Sequence, residues 1–311
     1  MSSNIKNITV FGPGLMGSGI AQIFAGNKDL KVTIFIRERV EYDCVDKINS
    51  NLNQLRDKGI ISDQDIADIF SRIRLTESMK EATEDADFVV ECIPENMELK
   101  QNLFKSLESL CRPDTIFASN TSVMSITEIF SKCSIRDRVV GTHFWNPPYL
   151  IPLVEVVKSD DTSEETMDKA MELLNKVGKH PIRVNKDVPG FVANRLQHAL
   201  WREAISIVER GIADAATVDE AVKYSFGLRL PKLAPMENAD MVGSDLTLSI
   251  HSYILKYLEN SPEPSPLLKE KVEKGQLGFK SGKGFQEWTA EEIDKSNKEL
   301  REYLIKVIYN K

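Results

Sequence analysis

Two residues stand out as a pair that could move a proton. His143 lies near the end of VVGTHF, and Glu155 sits inside LVEVV among Leu153, Val154, Val156 and Val157. A carboxylate in such an apolar strand needs a partner, because an unpaired buried charge costs about several kcal/mol. The stretch NPPYLIP between the two runs turns the chain and can bring Glu155 beside His143. Paired, the carboxylate would orient the imidazole and stabilise its protonated form, which is how a general base is held ready. The same spacing also allows a purely structural His–Glu pair, or a glutamate facing water from an edge strand. His180, His198 and His251 lie in or beside regular helix and strand patterns and read as structural.

A second constellation is ITVFGPGLMGSGIAQIF, with Gly12, Gly14 and Gly17 spaced as G-x-G-x-x-G. It follows an apolar strand and opens an apolar-periodic helix. Gly12 permits the tight turn, Gly14 lets a pyrophosphate approach the backbone, and Gly17 lets the helix pack close to its strand. The helix N-terminus then faces the phosphates of a dinucleotide. The end of the second strand, where an acid would bind the ribose, carries Arg37 followed by Glu38. Arg37 would suit the 2′-phosphate of NADP. Alternatively it stacks on the adenine or faces water, Glu38 contacts the ribose, and the cofactor is NAD. A dinucleotide strengthens the base reading of His143, since hydride removal from an alcohol leaves a hydroxyl proton to be taken.

The elements that must position these residues alternate in type. Residues 5–11, 31–36, 88–93, 115–119, 139–144, 153–157 and 180–184 read as strands. Between them lie helices at 15–25 and 98–110, a helix starting at Ser62-Asp63, a short one capped by Ser125 with Glu128, and one capped by Thr162 with Glu165 that stops at Gly178. This alternation predicts an α/β class, a mostly parallel sheet with helices on both faces. After Asp187-Val188-Pro189-Gly190 only helices are expected: 191–210, one capped by Thr217 with Glu220, then 241–259, 267–274 and 290–309. The expected division is a Rossmann-like NAD(P)-binding domain over 1–186 and an all-helical substrate and dimerisation domain over 187–311.

The chain has 311 residues, 41% hydrophobic and 28% charged, with a net charge of −7. That balance, with no basic cluster, argues against nucleic acid or an anionic membrane as the main partner. No signal-peptide core and no apolar run of about 18 residues is present, so a cytoplasmic protein is expected. Cys44, Cys92, Cys111 and Cys133 form no C-x-x-C pair, which indicates reduced thiols rather than a disulfide framework or a metal site. The amphipathic helices of the second half need cover, which predicts a homodimer.

Several segments together resemble the L-3-hydroxyacyl-CoA dehydrogenases, in family order and over nearly the whole length. They are GPGLMGSGIAQ, VECIPENMELKQNLF, TIFASNTS, THFWNPPYLIPLVEVV, GKHPIRV, DVPGFVANR and KSGKGF. The resemblance implies His143 as catalytic base and Glu155 as its orienting partner. It implies that Ser122 hydrogen-bonds the substrate oxygen and that Asn194 holds the reacting carbonyl or hydroxyl. On the cofactor side it implies Gly12, Gly14, Leu15, Met16, Gly17, Glu95, Lys100, Asn120 and Lys280, while Arg37, a cofactor candidate by its position, stands where the family usually shows an acid.

Family members acting on short acyl-CoA esters often carry several lysines after the second strand, where they meet the CoA phosphates. Here that segment offers Arg56 and Lys58, offset by Asp57. NPPYLIPLVEVV and FGLRLPKLAPMEN look like a sister branch acting on small free hydroxy compounds such as gulonate, carnitine or pyridine-derived alcohols. The tail WTAEEIDKSNKELREYLIKVIYNK extends beyond the usual acyl-CoA enzyme end, with an apolar stripe of Leu300, Tyr303, Leu304, Val307 and Ile308. The leading expectation is therefore hydride transfer at C3 of a 3-hydroxyacyl-CoA. The alternative is the same chemistry on a free hydroxy acid, and a third is a dinucleotide-binding protein without catalysis.

Overall fold

The structure is a computed structural model that describes residues 5–37 and 41–310; Glu38 lies outside the described residues. Eight strands form one sheet: β1 (Asn7–Phe11), β2 (Lys31–Phe35), β3 (Ile73–Thr76), β4 (Phe88–Glu91), β5 (Ile116–Ser119), β6 (Val139–Phe144), β7 (Leu153–Val157) and β8 (His180–Val184). Their order is β3-β2-β1-β4-β5-β6-β7-β8. All neighbours are parallel except β6 and β7, which run antiparallel with His143 opposite Glu155. β1 lies where the order reverses, between β2 and β4. The crevice at the carboxyl ends of the strands there is the usual ligand position of such sheets.

Helices α1 (Leu15–Ala25), α2 (Glu41–Asp57), α3 (Asp63–Ser71), α4 (Met79–Thr83), α5 (Met97–Glu108), α6 (Ile126–Ile129) and α7 (Glu164–Lys176) connect the strands. Successive strand residues alternate between two cores. Val10, Val90 and Val140 pack with Phe24 of α1, Ile48 of α2 and Leu173 of α7. Phe11, Val89 and Val139 pack with Phe104 of α5 and Ile129 of α6. Burial on both faces explains why these strands read as near-continuous apolar runs.

After β8 come α8 (Ala193–Glu209), α9 (Ala215–Lys223), α10 (Phe226–Arg229), α11 (Pro235–Val242), α12 (Ser244–Ile254), α13 (Pro266–Glu273) and α14 (Ala290–Tyr309). The chain forms two compact units. Arg195–Leu300 forms one unit, and Arg301–Lys311 belongs with Met1–Asn194 in the other. Among the described residues no helix is long and apolar enough to cross a membrane.

Several local expectations are corrected. α7 is capped by Ser163, not Thr162, because the Thr162 hydroxyl is engaged with the Val139 carbonyl and the Ser159 N–H. α9 is capped by Asp214, whose carboxylate accepts from Thr217 N–H, so Thr217 lies inside the first turn. The expected helix 241–259 is interrupted at Gly243, which adopts φ +98° between α11 and α12. On α14 the packed stripe is Leu304, Ile305 and Ile308 against Leu55 and Leu150, while Leu300, Tyr303 and Val307 remain exposed. Strand β3, with its short IRLT run, was not among the sequence expectations.

Candidate active site

The glycine turn leaves the end of β1 and enters α1. Gly12 has φ +91°, and a side chain there would meet the Cys92 carbonyl at 2.5 Å. At Gly17 a Cβ would lie 2.0 Å from the Gly12 carbonyl, so α1 can approach the turn only without one. Gly14 is different: a Cβ there would meet nothing within 4 Å, which marks open space beside the backbone. No side chain caps α1 and no acidic residue occupies its first turn. The N–H groups of Leu15, Met16 and Gly17 therefore have no intrahelical acceptor, and the first turn of α1 supplies no carboxylate to them. This donor set fits a pyrophosphate. Arg37, just beyond β2, is exposed and makes no hydrogen bond or ion pair among the described residues.

His143 and Glu155 meet at the sheet end that the glycine turn also borders. The antiparallel register places them as direct cross-strand partners, with side chains on one face. The Glu155 carboxylate is 0% exposed, and its Oε2 accepts from His143 Nδ1–H at 2.7 Å. Trp145 Nε1–H donates to the same oxygen at 3.4 Å. The backbone N–H groups of Val192 and Ala193 donate to Oε1 at 2.9 and 3.0 Å. Burial works against the charge, yet the bonds from His143, Ala193 and Val192 outweigh it and hold the carboxyl below its ordinary value. A carboxylate accepting from Nδ1–H would fix that tautomer and leave Nε2 as the ring's acceptor.

A second network holds Ser122. Its N–H donates to Glu95 Oε1 at 2.8 Å, and its carbonyl accepts from Asn194 Nδ2 at 3.0 Å. Thr121 donates to the same Glu95 oxygen. The other Glu95 oxygen lies 3.2 Å from Lys100 Nζ, which also bonds Glu91 Oε1 at 2.6 Å and the Ile93 carbonyl. Burial raises the Glu91 carboxyl above its ordinary value despite the Lys100 ammonium and the Ser119 hydroxyl beside it. Asn120 Oδ1 accepts from Phe144 N–H, joining the end of β5 to the residue after His143.

The structure thus gathers His143, Glu155, Ser122, Asn194, Glu95 and Asn120 at one end of the sheet. Lys100 is 1% exposed, and oxygens of Glu91, Glu95 and the Ile93 carbonyl engage its ammonium. Arg56 and Lys58 both sit in exposed ion pairs. Arg56 is paired with Asp57 and Asp63, and Lys58 with Glu302 of α14. Lys280 lies in the second unit, where it lines a cavity of about 580 Å³ with Lys271, Asp219 and Trp288. Sequence reasoning missed Trp145, Glu91 and the two backbone donors. Glu91 carried a signal like that of Glu155, a carboxylate in an apolar strand.

A doubly wound sheet with a glycine turn suited to a pyrophosphate and an imidazole paired with a carboxylate at one end fits the class of nicotinamide-dependent dehydrogenases. The chain matches the "3-hydroxyacyl-CoA dehydrogenase, NAD binding domain" over residues 7–188. It matches the "3-hydroxyacyl-CoA dehydrogenase, C-terminal domain" over residues 190–288. It is 36% identical over 283 residues to 3-hydroxybutyryl-CoA dehydrogenase of Clostridioides difficile, covering 90% of this chain and 99% of that one. It is 32% identical over 310 residues to 5-formyl-3-hydroxy-2-methylpyridine 4-carboxylate 5-dehydrogenase of Mesorhizobium japonicum, covering 97% of each.

Among solved structures, one of a 5-dehydrogenase for that pyridine carboxylate, described as an NAD+ dependent dismutase, superposes with a TM-score of 0.88, 32% identity and 97% coverage of both chains. The (S)-3-hydroxybutyryl-CoA dehydrogenase from Ralstonia eutropha superposes with a TM-score of 0.77, 33% identity and coverage of 92% of this chain and 100% of that one. The protein belongs to the 3-hydroxyacyl-CoA dehydrogenase family, and it is an NAD-dependent oxidoreductase of that type.

Proposed function

We propose that the enzyme oxidises the alcohol of a compact, free hydroxy acid, with His143 as the base. A bound NAD supplies the hydride acceptor. His143 Nε2 takes the hydroxyl proton while Nδ1–H stays on Glu155, so the imidazolium forms beside its counter-charge. The Ser122 hydroxyl and the remaining N–H of Asn194 are donors for the oxygen on which charge develops. Glu95 supports this arrangement by fixing the Ser122 backbone. The observation that carries the chemistry is the buried 2.7 Å His143–Glu155 contact in a dinucleotide-binding sheet.

The substrate class rests on charge. Around Arg56 and Lys58 the paired groups are two cations and three carboxylates, Asp57, Asp63 and Glu302. These carboxylates offset both cations, which supports a substrate without a nucleotide phosphate over one that needs a basic patch. The pyridine carboxylate dehydrogenase, named for a substrate without CoA, matches more of this chain than the hydroxybutyryl-CoA enzyme does. The second reading, a 3-hydroxyacyl-CoA substrate, is favoured by the names of several relatives.

For the base assignment, His143→Ala is expected to lower kcat by on the order of 100- to 10,000-fold, the usual worth of a positioned base, with NADH affinity within about twofold of wild type. Unchanged turnover would reject His143 as the base.

A further inference from the structure

The segment 187–194 connects β8 to α8 and carries two costly features. Among the described residues, Asp187 Oδ1 is buried without a hydrogen-bond partner. Phe191, not a glycine, adopts φ +47° directly after Gly190 at φ +76°. A left-handed backbone at a bulky residue persists only where the surroundings impose it. A buried polar atom left unpaired likewise calls for an explanation.

Both features serve one geometry. Asp187 Oδ2 accepts from the Ser125 hydroxyl at 2.6 Å and from Thr127 N–H at 2.8 Å, which ties one end of the segment to the start of α6. The other end is tied by Asn194 Nδ2 to the Ser122 carbonyl. Both ends therefore close on the stretch 122–127 that carries Ser122. In the middle, the left-handed pair Gly190–Phe191 is followed at once by the two N–H groups, Val192 and Ala193, that converge on Glu155 Oε1. The Phe191 ring is buried, with its centroid 5.8 Å from that of His143. Trp145 stands 5.4 Å from the same imidazole.

We infer that residues 187–194 form a positioning strap, with Phe191 and Asp187 as its positioning residues. Phe191 turns the chain so that consecutive N–H groups clamp one oxygen of Glu155, and its ring keeps water from the His143–Glu155 bond held by the other oxygen. Asp187 sets the strap's start, so that the clamp and the Ser122 stretch stay in register. This inference rests on the reading of His143 as a base oriented by Glu155.

The test is the proton spectrum of the full-length protein. A buried imidazole N–H bonded to a carboxylate gives a slowly exchanging downfield resonance, assigned by its loss in His143→Gln. That resonance should be present in wild type and in Phe191→Leu, and lost to exchange with water in Phe191→Ala, with NADH binding retained as the check on folding. A Phe191→Ala resonance with wild-type shift and exchange would overturn the strap. Should Phe191→Ala fail to bind NADH, Asp187 decides. Asp187→Ala should lose the resonance, whereas Asp187→Asn, which keeps an acceptor for Ser125 and Thr127, should retain it; an Asp187→Ala spectrum like that of wild type overturns the proposal. Absence of the resonance from wild type itself would instead reject the His143–Glu155 reading beneath it.

Discussion

A carboxylate with no exposed surface persists at position 155 because four donors converge on it. Glu155→Gln replaces one acceptor oxygen with an amide that cannot accept from all of them. Its kcat should fall on the order of 10- to 100-fold, as when a supporting hydrogen bond behind a reacting group is lost. The pH dependence follows from the carboxyl lying below its ordinary 4.5. The stability it contributes is complete above that value and is lost as pH falls through the lower, folded-state value. The urea stability gap between wild type and Glu155→Gln should therefore narrow on acidification below about 4.5, and a gap constant with pH would show that the charge is not what the fold uses. The pair itself was legible in the sequence, since one carboxylate interrupts an apolar strand. The Val192 and Ala193 donors were not, because they depend on backbone angles at 190–191 that residue type does not specify. The burial of Lys100 was hidden for a similar reason: its partner Glu91 sits on a different element.

At the scale of elements, the glycine turn separates packing from binding. Gly17→Ala forces a Cβ against the Gly12 carbonyl and should destabilise the fold by about 1–3 kcal/mol, the usual cost of overpacking. Gly14→Ala meets open space and should change stability by no more than about 0.5 kcal/mol. It should nevertheless weaken NADH binding, because the new methyl occupies the side where a pyrophosphate approaches. Equal effects of the two substitutions on thermal stability and NADH titration would contradict this division. Strand and helix types were readable from apolar runs and periodicity, while caps slipped where a neighbour competed. Thr162 looked like a cap, but its hydroxyl is spent on the Val139 carbonyl, and Ser163 takes the role. β3 escaped notice because IRLT is short and lies at the sheet edge.

At the scale of the molecule, the second unit presents apolar side chains outward. Tyr224 is 80% exposed, Met236 77% and Leu228 76%, and helices α9 to α13 bury no residue of their own. A second copy of this chain is the expected cover for these side chains. Sedimentation equilibrium should give a dimer of the 35.1 kDa chain; a monomer at micromolar concentration would contradict this. The order of motifs along the chain made the family legible from the sequence, but not the substrate, because the pairing of Lys58 with Glu302 joins residues from opposite ends of the chain. The substrate class is tested most directly by comparing acetoacetate and other free oxo acids with acetoacetyl-CoA as oxidants of NADH, followed by loss of reduced-nicotinamide absorbance. The account predicts a higher kcat/KM for a free acid than for the CoA ester, and a higher kcat/KM for acetoacetyl-CoA than for any free acid would contradict it.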